Sequence, residues 1–392
     1  MARKLASIVR ISKVSPIENA DRLEVAEMEG KGWRVVIQKG ELKVGDLACY
    51  FEIDSFINPD DERYAFLRDR CLRKFVSKGG SILRQGLKIK TIKLRGVVSQ
   101  GLLMPLDKFP EITSRIEVID SKKYFLVDGG EIGCKGAVPV VGADVTELLK
   151  VEHYDEVKEQ LQPETGSPIS ADAMGKFPEL LGPRTDEERI QNLGDWFEKM
   201  KGRRWQITCK HDGTSCTIAY SPSVDSENPD IVCSRNLRLK RETADGKIPI
   251  YWKMAEKYDI LNKLKTVYEE TLGHEFMVQG EIVGPGIQKD RNKENEYMFL
   301  CFRIWDVKEQ KYLNPDETVK FCETYGIPHV QVIKTDFPFF DEITTMEEAL
   351  KFAEGKTKEG NEREGVVLKT VDDLPYASFK IVSNRYLMKQ ED

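Results

Sequence analysis

Several things are scarce in these 392 residues, and each scarcity removes a class of protein. Eight cysteines occur, but no two stand as C-x-x-C and they form no dense framework. That argues against a zinc ribbon and against a disulfide-stapled secreted domain, and the expectation is reduced thiols in a cytoplasmic protein. The four histidines, His153, His211, His274 and His329, are scattered, so no histidine catalyst is expected. No apolar run of about 18 residues is present, and the opening MARKLASIVRISKV lacks a long apolar core. Neither a membrane span nor a signal peptide is therefore expected. The formal net charge of −6 gives no global attraction for nucleic acid, so any such binding has to come from local patches. There is no internal repeat and no low-complexity tract.

What is present is enough for two or three packed domains: 40% of the residues are hydrophobic. Residues 1 to about 105 read as short strands broken by turns. LASIVRISKV, LEVAEMEG, WRVVIQ, LACYFEID and TIKLRGVVSQGLLMPL are β-branched or alternating, and EGKG, LKVGD and INPDD are turns. Five or so strands in that length suit a small barrel of the OB type. Asp60 to Arg84 is the exception and reads as helical or irregular. From Arg68 to Arg95 lie ten lysines and arginines against one acid, Asp69. In a net-acidic chain such a stretch suits phosphate contacts; the plainer reading is a solvated face. Residues 106–150 extend the first domain, and 151–184, which contains QPETGSPISADAMGKFPELLGPR, reads as a linker. In the 185–392 domain a helix is expected first. Thr185 and Glu188 form a capping box, and Ile190, Leu193, Phe197 and Met200 fall at helical spacing. Arg189 and Gln191 would sit on its solvated side.

TCKHDGTSCT, residues 208–217, holds the first chemical signal. Trp205, Ile207 and Cys209 alternate with Gln206, Thr208 and Lys210, so this is a strand with Lys210 on its polar face. Asp212-Gly213 reads as a hairpin turn into a second strand at Thr217–Tyr220. Further motifs follow in order: Ser234-Arg235-Asn236, GEIVGPGIQ with Glu281, FRIWDV with Phe302, EGVVLK with Glu364, and SFKIV with Lys380.

This ordered series resembles the covalent nucleotidyltransferases across the C-terminal half of the chain. GEIVGPGIQ and EGVVLK…SFKIVSNRYL are most similar to ATP-dependent RNA ligases. ENADRLEVAEMEGKGWRVVIQKGELKVGDLACYFEID resembles the OB domains of tRNA-binding modules. Placed before a ligase core, it gives the arrangement of the Deinococcus-type RNA ligases, which join nicks held in a duplex. The implied fold class is α+β: an N-terminal OB-like β-barrel (1–150), then a nucleotidyltransferase (ATP-grasp-like ligase) domain of antiparallel sheets and helices.

The residue types suit that chemistry. A lysine amine attacking the α-phosphate of ATP splits one difficult step into easier ones, and it can do so when burial or neighbouring cations lower its pKa. Lys210 is the expected nucleophile and Lys380 the cation that offsets charge as pyrophosphate leaves. Asp212, Glu281 and Glu364 are the expected carboxylates for a hydrated Mg²⁺ or Mn²⁺. The resemblance also allows Glu281 to hold the ribose hydroxyls, gives Arg235 the ribose or the RNA 5′-phosphate, and gives Phe302 the face on which adenine stacks. Many ligases end the last motif with K-x-K, whereas Val382 stands at the second position here. Strict alternation puts Lys369 on the face opposite Glu364, so either one lysine suffices or another cation, such as Lys240 or Arg241, takes part.

The expected function is therefore an ATP-dependent RNA ligase acting as a monomer on RNA ends or nicked duplexes through lysyl-AMP and 5′-adenylylated RNA. An ATP-dependent DNA ligase or GTP-using capping enzyme is one alternative. Those families usually carry an OB domain after the last motif, and ten residues follow Val382 in this sequence. The other alternative is a non-catalytic RNA-binding protein, against which intact Lys210, Glu281, Glu364 and Lys380 argue.

Overall fold

The computed structural model describes residues 4–128, 135–165, 173–184, 187–193, 196–243, 245–288, 295–357 and 360–388. The chain divides into two compact units. The first is Met1–Gly166 with Gln191–Gly194 and Met388–Asp392, and the second is Ser167–Ile190 with Asp195–Leu387.

The first unit is built on a five-stranded antiparallel sheet. Its order is Leu102–Pro105, Leu47–Phe51, Ala6–Pro16, Leu23–Met28, Arg34–Gln38. Both faces of Ala6–Pro16 are covered at its start. Val9 and Ile11 enter one core with Trp33, Val35 and Tyr50, while Ala6 and Ile8 enter a second with Phe51, Phe109 and Phe125. The Val36 N–H donates to Ser99 Oγ at 2.9 Å, which brings the chain just before Leu102–Pro105 against the far edge strand and curls the sheet toward a barrel. Gly101 turns that corner at φ +103°, where a Cβ would lie 2.6 Å from the Phe51 carbonyl oxygen.

Asp60 to Arg84 is helical only in part. Glu62–Leu67 is a 3₁₀ segment and Arg68–Cys71 one helical turn, but Leu72–Val76 then pairs with Ile82–Lys88 as an antiparallel ribbon. The reason is aromatic packing at period two: Phe75 lies 6.0 Å from the Phe56 ring and 5.5 Å from Tyr154. TIKLRGVVSQGLLMPL likewise breaks up, into a second ribbon, Thr91–Leu94 with Val97–Gln100, and the barrel strand Leu102–Pro105. Beyond it, Ile116–Ile119, Lys122–Asp128 and Lys135–Pro139 form a three-stranded meander.

The stretch 151–184 differs from the expected linker at both ends. Glu152–His153 pairs with Ser55–Phe56 and is followed by the helix Tyr154–Thr165, all in the first unit. Ala173–Lys176 pairs with Leu237–Leu239, and Phe177 and Leu181 are buried in the second.

The second unit holds two sheets. The seven-stranded one runs Ala173–Lys176, Leu237–Leu239, Asp230–Cys233, Thr214–Tyr220, Phe276–Val283, Met298–Asp306, Lys311–Tyr312. The five-stranded one runs Glu188–Arg189, Ser378–Val382, Gly365–Thr370, Trp205–Lys210, Val332–Phe337. Pairing is antiparallel except where Glu188–Arg189 meets Ser378–Val382 in parallel. Helices Ile250–Lys257, Ile260–Glu270 and Pro315–Tyr325 back the larger sheet through Trp252, Leu264 and Cys322.

Two local readings are corrected here. Asp212-Gly213 is no hairpin turn. Trp205–Lys210 pairs with Val332–Phe337 and Gly365–Thr370, while Thr214–Tyr220 pairs with Asp230–Cys233 and Phe276–Val283. Both strands are central in their own sheets, so neither has an edge left for the other, and the chain crosses between sheets at residues 211–213. The helix expected from Thr185 is also absent from the described residues, and Thr185 itself lies outside them. Glu188–Arg189 is strand, Ile190–Asn192 a 3₁₀ turn, and Trp196–Lys199 a single helical turn. Sheet pairing overrides the local helical period. Gln191 is fully buried rather than solvated. Among the described residues no helix is long and apolar enough to cross a membrane.

Candidate active site

The crossing between sheets creates the site. A cavity of ≈ 300 Å³ is lined by Thr208, Lys210, Val367, Lys369 and Lys380 from the smaller sheet and by Ser215, Glu281 and Phe302 from the larger, with Asp212 and Gly213 at the crossover. Arg235, exposed on the loop after Asp230–Cys233, and Glu187, just before the parallel edge strand, also face it. Two glycines let the backbones close around the lysine. A Cβ on Gly213 would overlap the Ile282 carbonyl oxygen, and one on Gly365 the Ile381 carbonyl oxygen. Gly365 is the register partner of Lys210, so Glu364 arrives directly beside the amine.

Lys210 Nζ donates to Glu364 Oε2 at 2.6 Å. Burial disfavours the ammonium, but Glu364, Glu281 and Asp212 outweigh it, and the pKa of Lys210 stands above its ordinary value. The expected lowering is therefore not a property of this state, because the charges of the three carboxylates outweigh the burial of the amine. Glu281 shows the other side of the balance. Burial, together with the charges of Glu364 and Asp212, pushes it up to about 8 in spite of Lys210 and the Gly213 N–H. Asp212 accepts a hydrogen bond from Tyr386 Oη at 2.5 Å.

All seven residues expected at the site gather at this cavity: Lys210, Asp212, Arg235, Glu281, Phe302 and Lys380 on its wall, and Glu364 bonded to Lys210. Lys369 was placed on the wrong face. It shares the cavity with Val367 and Lys380, while Glu364 lies before the strand Gly365–Thr370 and escapes its alternation. Lys369 Nζ donates to the Phe302 carbonyl oxygen, and burial followed by the charge of Arg303 brings its pKa down to about 8. Neither Lys240 nor Arg241 lines the cavity.

Glu187 and Tyr386 were missed. Glu187 pairs with buried Arg303 at 2.9 Å, and Arg303 is further held by Tyr376 Oη at 2.7 Å and Ser378 Oγ at 3.0 Å. Arg303 sits in FRIWDV, where an arginine between aromatics on a strand was the available signal. Tyr386 follows the last motif on the short helix Asn384–Met388, and its contact with Asp212 spans 174 positions, beyond any local pattern.

No three His, Cys, Asp or Glu side chains among the described residues converge closely enough to hold an ion directly. Three carboxylates grouped around one lysine, one of them held largely protonated, nevertheless make a donor set of hard oxygens with unmet demand for positive charge. That set fits a divalent ion held through its water shell.

The fold and this cavity define a ligase-type nucleotidyltransferase preceded by an OB domain. An RNA ligase family matches residues 203–385, and an OB-fold domain matches residues 5–106. Several solved structures of a Naegleria gruberi RNA ligase are similar over the whole chain. One, with PPi, is 31% identical with a TM-score of 0.74 and covers 100% of both chains. A glutamate-to-alanine variant with AMP and Mn is 30% identical with a TM-score of 0.75, covering 99% of each chain. A second such variant, with ATP and Mn, is 31% identical with a TM-score of 0.73 and covers 100% of each. None of the curated proteins matches. The chain belongs to the RNA ligase family.

Proposed function

We propose that this enzyme is an ATP-dependent RNA ligase that seals nicks in RNA duplexes through a lysyl-AMP intermediate on Lys210. The carrying observation is the surroundings of that amine: it reaches into a cavity that Lys380 and Arg235 also line, and three carboxylates act on it. The similar Naegleria enzyme, solved with ATP and Mn, with AMP and Mn and with PPi, supports ATP and a divalent ion as cofactors.

In the first step the neutral amine of Lys210 attacks the α-phosphorus; the P–N bond forms as the bond to pyrophosphate breaks. Lys380, on the cavity wall, offsets charge on the phosphate in flight. Asp212, Glu281 and Glu364 would hold a hydrated divalent ion, which would supply charge neutralisation at the phosphates and offset the carboxylate field around Lys210. Glu364, bonded to Lys210, is the nearest acceptor for the proton that the amine sheds. The AMP phosphorus is then attacked by an RNA 5′-phosphate oxygen, the P–N bond breaks and the lysine regains its proton. Finally a 3′-hydroxyl attacks the activated 5′-phosphate and AMP leaves. Phe302 provides the stacking face for adenine, and Arg235 reaches the ribose or the incoming 5′-phosphate. We take the protein to be a cytoplasmic monomer.

Incubating the enzyme with a divalent ion and radiolabelled ATP, and separately GTP, tests the reading. Protein-bound label from ATP alone, chased into sealed nicked duplex RNA, is the expected outcome. Label from GTP, or sealing confined to nicked DNA, contradicts it.

A further inference from the structure

We propose that the two basic ribbons of the first unit are a docking surface for the phosphate backbone of duplex RNA; this rests on the nick-sealing reading above. Between Asp69 and Asp107 the chain has nine lysines and arginines and no aspartate or glutamate. Folding puts most of that charge on two antiparallel strand pairs outside the barrel sheet: Leu72–Val76 with Ile82–Lys88, which forms one side of a four-stranded sheet with Ser55–Ile57 and Glu152–His153, and the separate ribbon Thr91–Leu94 with Val97–Gln100. Only Ile89 and Lys90 separate the two in sequence, and Ile89 is buried in the core beneath.

Carboxylates from elsewhere neutralise part of the charge. Asp54 pairs with Lys88 at 3.0 Å, and Glu152 with Arg84. Arg70, Lys74, Lys78 and Arg95 are exposed and form no ion pair with any described residue. Lys78 stands at the end of the first ribbon, beside Gly79 and Gly80. Arg95 stands at the end of the second with φ +50°, followed by Gly96 at φ +84°. Positive φ at both central positions is the two-residue hairpin turn that favours Asn-Gly, so an arginine here is a cation set at a tip against backbone preference. Like charges held together on a surface repel, and a polyanion relieves that repulsion while releasing its own counterions. The ribbons also expose Val76 (41%) and Ile82 (54%), which pair across the end of the first ribbon. A hairpin end with exposed cations beside a small exposed apolar pair fits the edge of a duplex groove. An acidic protein partner is the rival occupant.

The test uses the full chain carrying Arg70→Gln, Lys74→Gln, Lys78→Gln and Arg95→Gln together, and a fluorescent nicked RNA duplex. The variant should melt as wild type does and form the ATP adduct at the wild-type rate. Its duplex affinity should fall about tenfold or more near 0.1 M salt, and the slope of log affinity against log salt should be shallower by about 3 to 4. Single substitutions, Lys78→Gln for example, should each shallow the slope by about 1, which keeps the test open should the combined variant fold poorly. A folded variant with wild-type affinity and slope overturns the proposal, and so does a loss confined to single-stranded RNA. Failure of the wild type to seal nicked duplex RNA would instead overturn the nick-sealing reading, because affinity and sealing are read separately.

Discussion

The two units use charge in opposite ways. On the ribbons of the first, cations of one sign lie close in sequence, exposed and only partly neutralised. In the cavity of the second, charged residues from Glu187 to Lys380 converge, largely enclosed, with opposite signs in contact. An exposed array works at long range and is screened by salt; an enclosed cluster works at contact distance and depends on geometry. On the proposed reading grip belongs to one unit and chemistry to the other, and the variants below test the chemical half of that division.

The largest effect is expected at the proposed nucleophile. Lys210→Ala should abolish the covalent AMP adduct, by about 10³-fold or more, while still sealing RNA that already carries a 5′-adenylate. Intact-protein mass spectrometry and a gel assay with pre-adenylylated RNA check both halves. Next come the carboxylates. Glu281→Ala and Glu364→Ala should each slow adduct formation by about 100-fold or more while melting shifts only a few degrees. Wild-type rates in both would remove their proposed roles. Tyr386→Phe comes third. Losing one hydrogen bond to a carboxylate should cost about 1.5 kcal/mol, near tenfold in adduct rate, with melting little changed. An unchanged rate would make the tyrosine a packing residue only.

The smallest effect is a pH signature. The folded protein holds Lys369 with a pKa near 8, below the value of an unfolded lysine. Between about pH 8 and the ordinary lysine range the unfolded state then binds the extra proton, so stability rises with pH in that window. Relative to Lys369→Met, the wild type should therefore gain in melting temperature as pH increases above 8. A difference that stays constant or shrinks would mean that the buried lysine keeps its proton.

The motif residues gather at one cavity, and they could be picked out because an amine, acids and cations in fixed order are visible without a fold. What stayed hidden depends on tertiary pairing. Asp212-Gly213 has the composition of a hairpin, and only the competing partners of Trp205–Lys210 and Thr214–Tyr220 show that it joins two sheets. Lys369 was misplaced because alternation was counted from Glu364, which precedes the strand. The period in 190–200 is helical on paper, yet Arg189 aligns with Lys380 as the edge of a sheet. The barrel was legible from alternation and turns, whereas the first ribbon was not, since Phe75 takes its strand conformation by packing on Phe56 and Tyr154, distant in sequence.

Salt dependence of the two half-activities, followed on one preparation of wild-type enzyme, tests the division between grip and chemistry most directly. As salt rises from about 50 to 200 mM, sealing of nicked duplex RNA below saturation should fall by about 100-fold or more, as expected for several lost phosphate contacts. Formation of the ATP adduct at saturating nucleotide should change by less than about threefold over the same range. Parallel decline of the two would contradict the account, because grip and chemistry would then draw on the same charges.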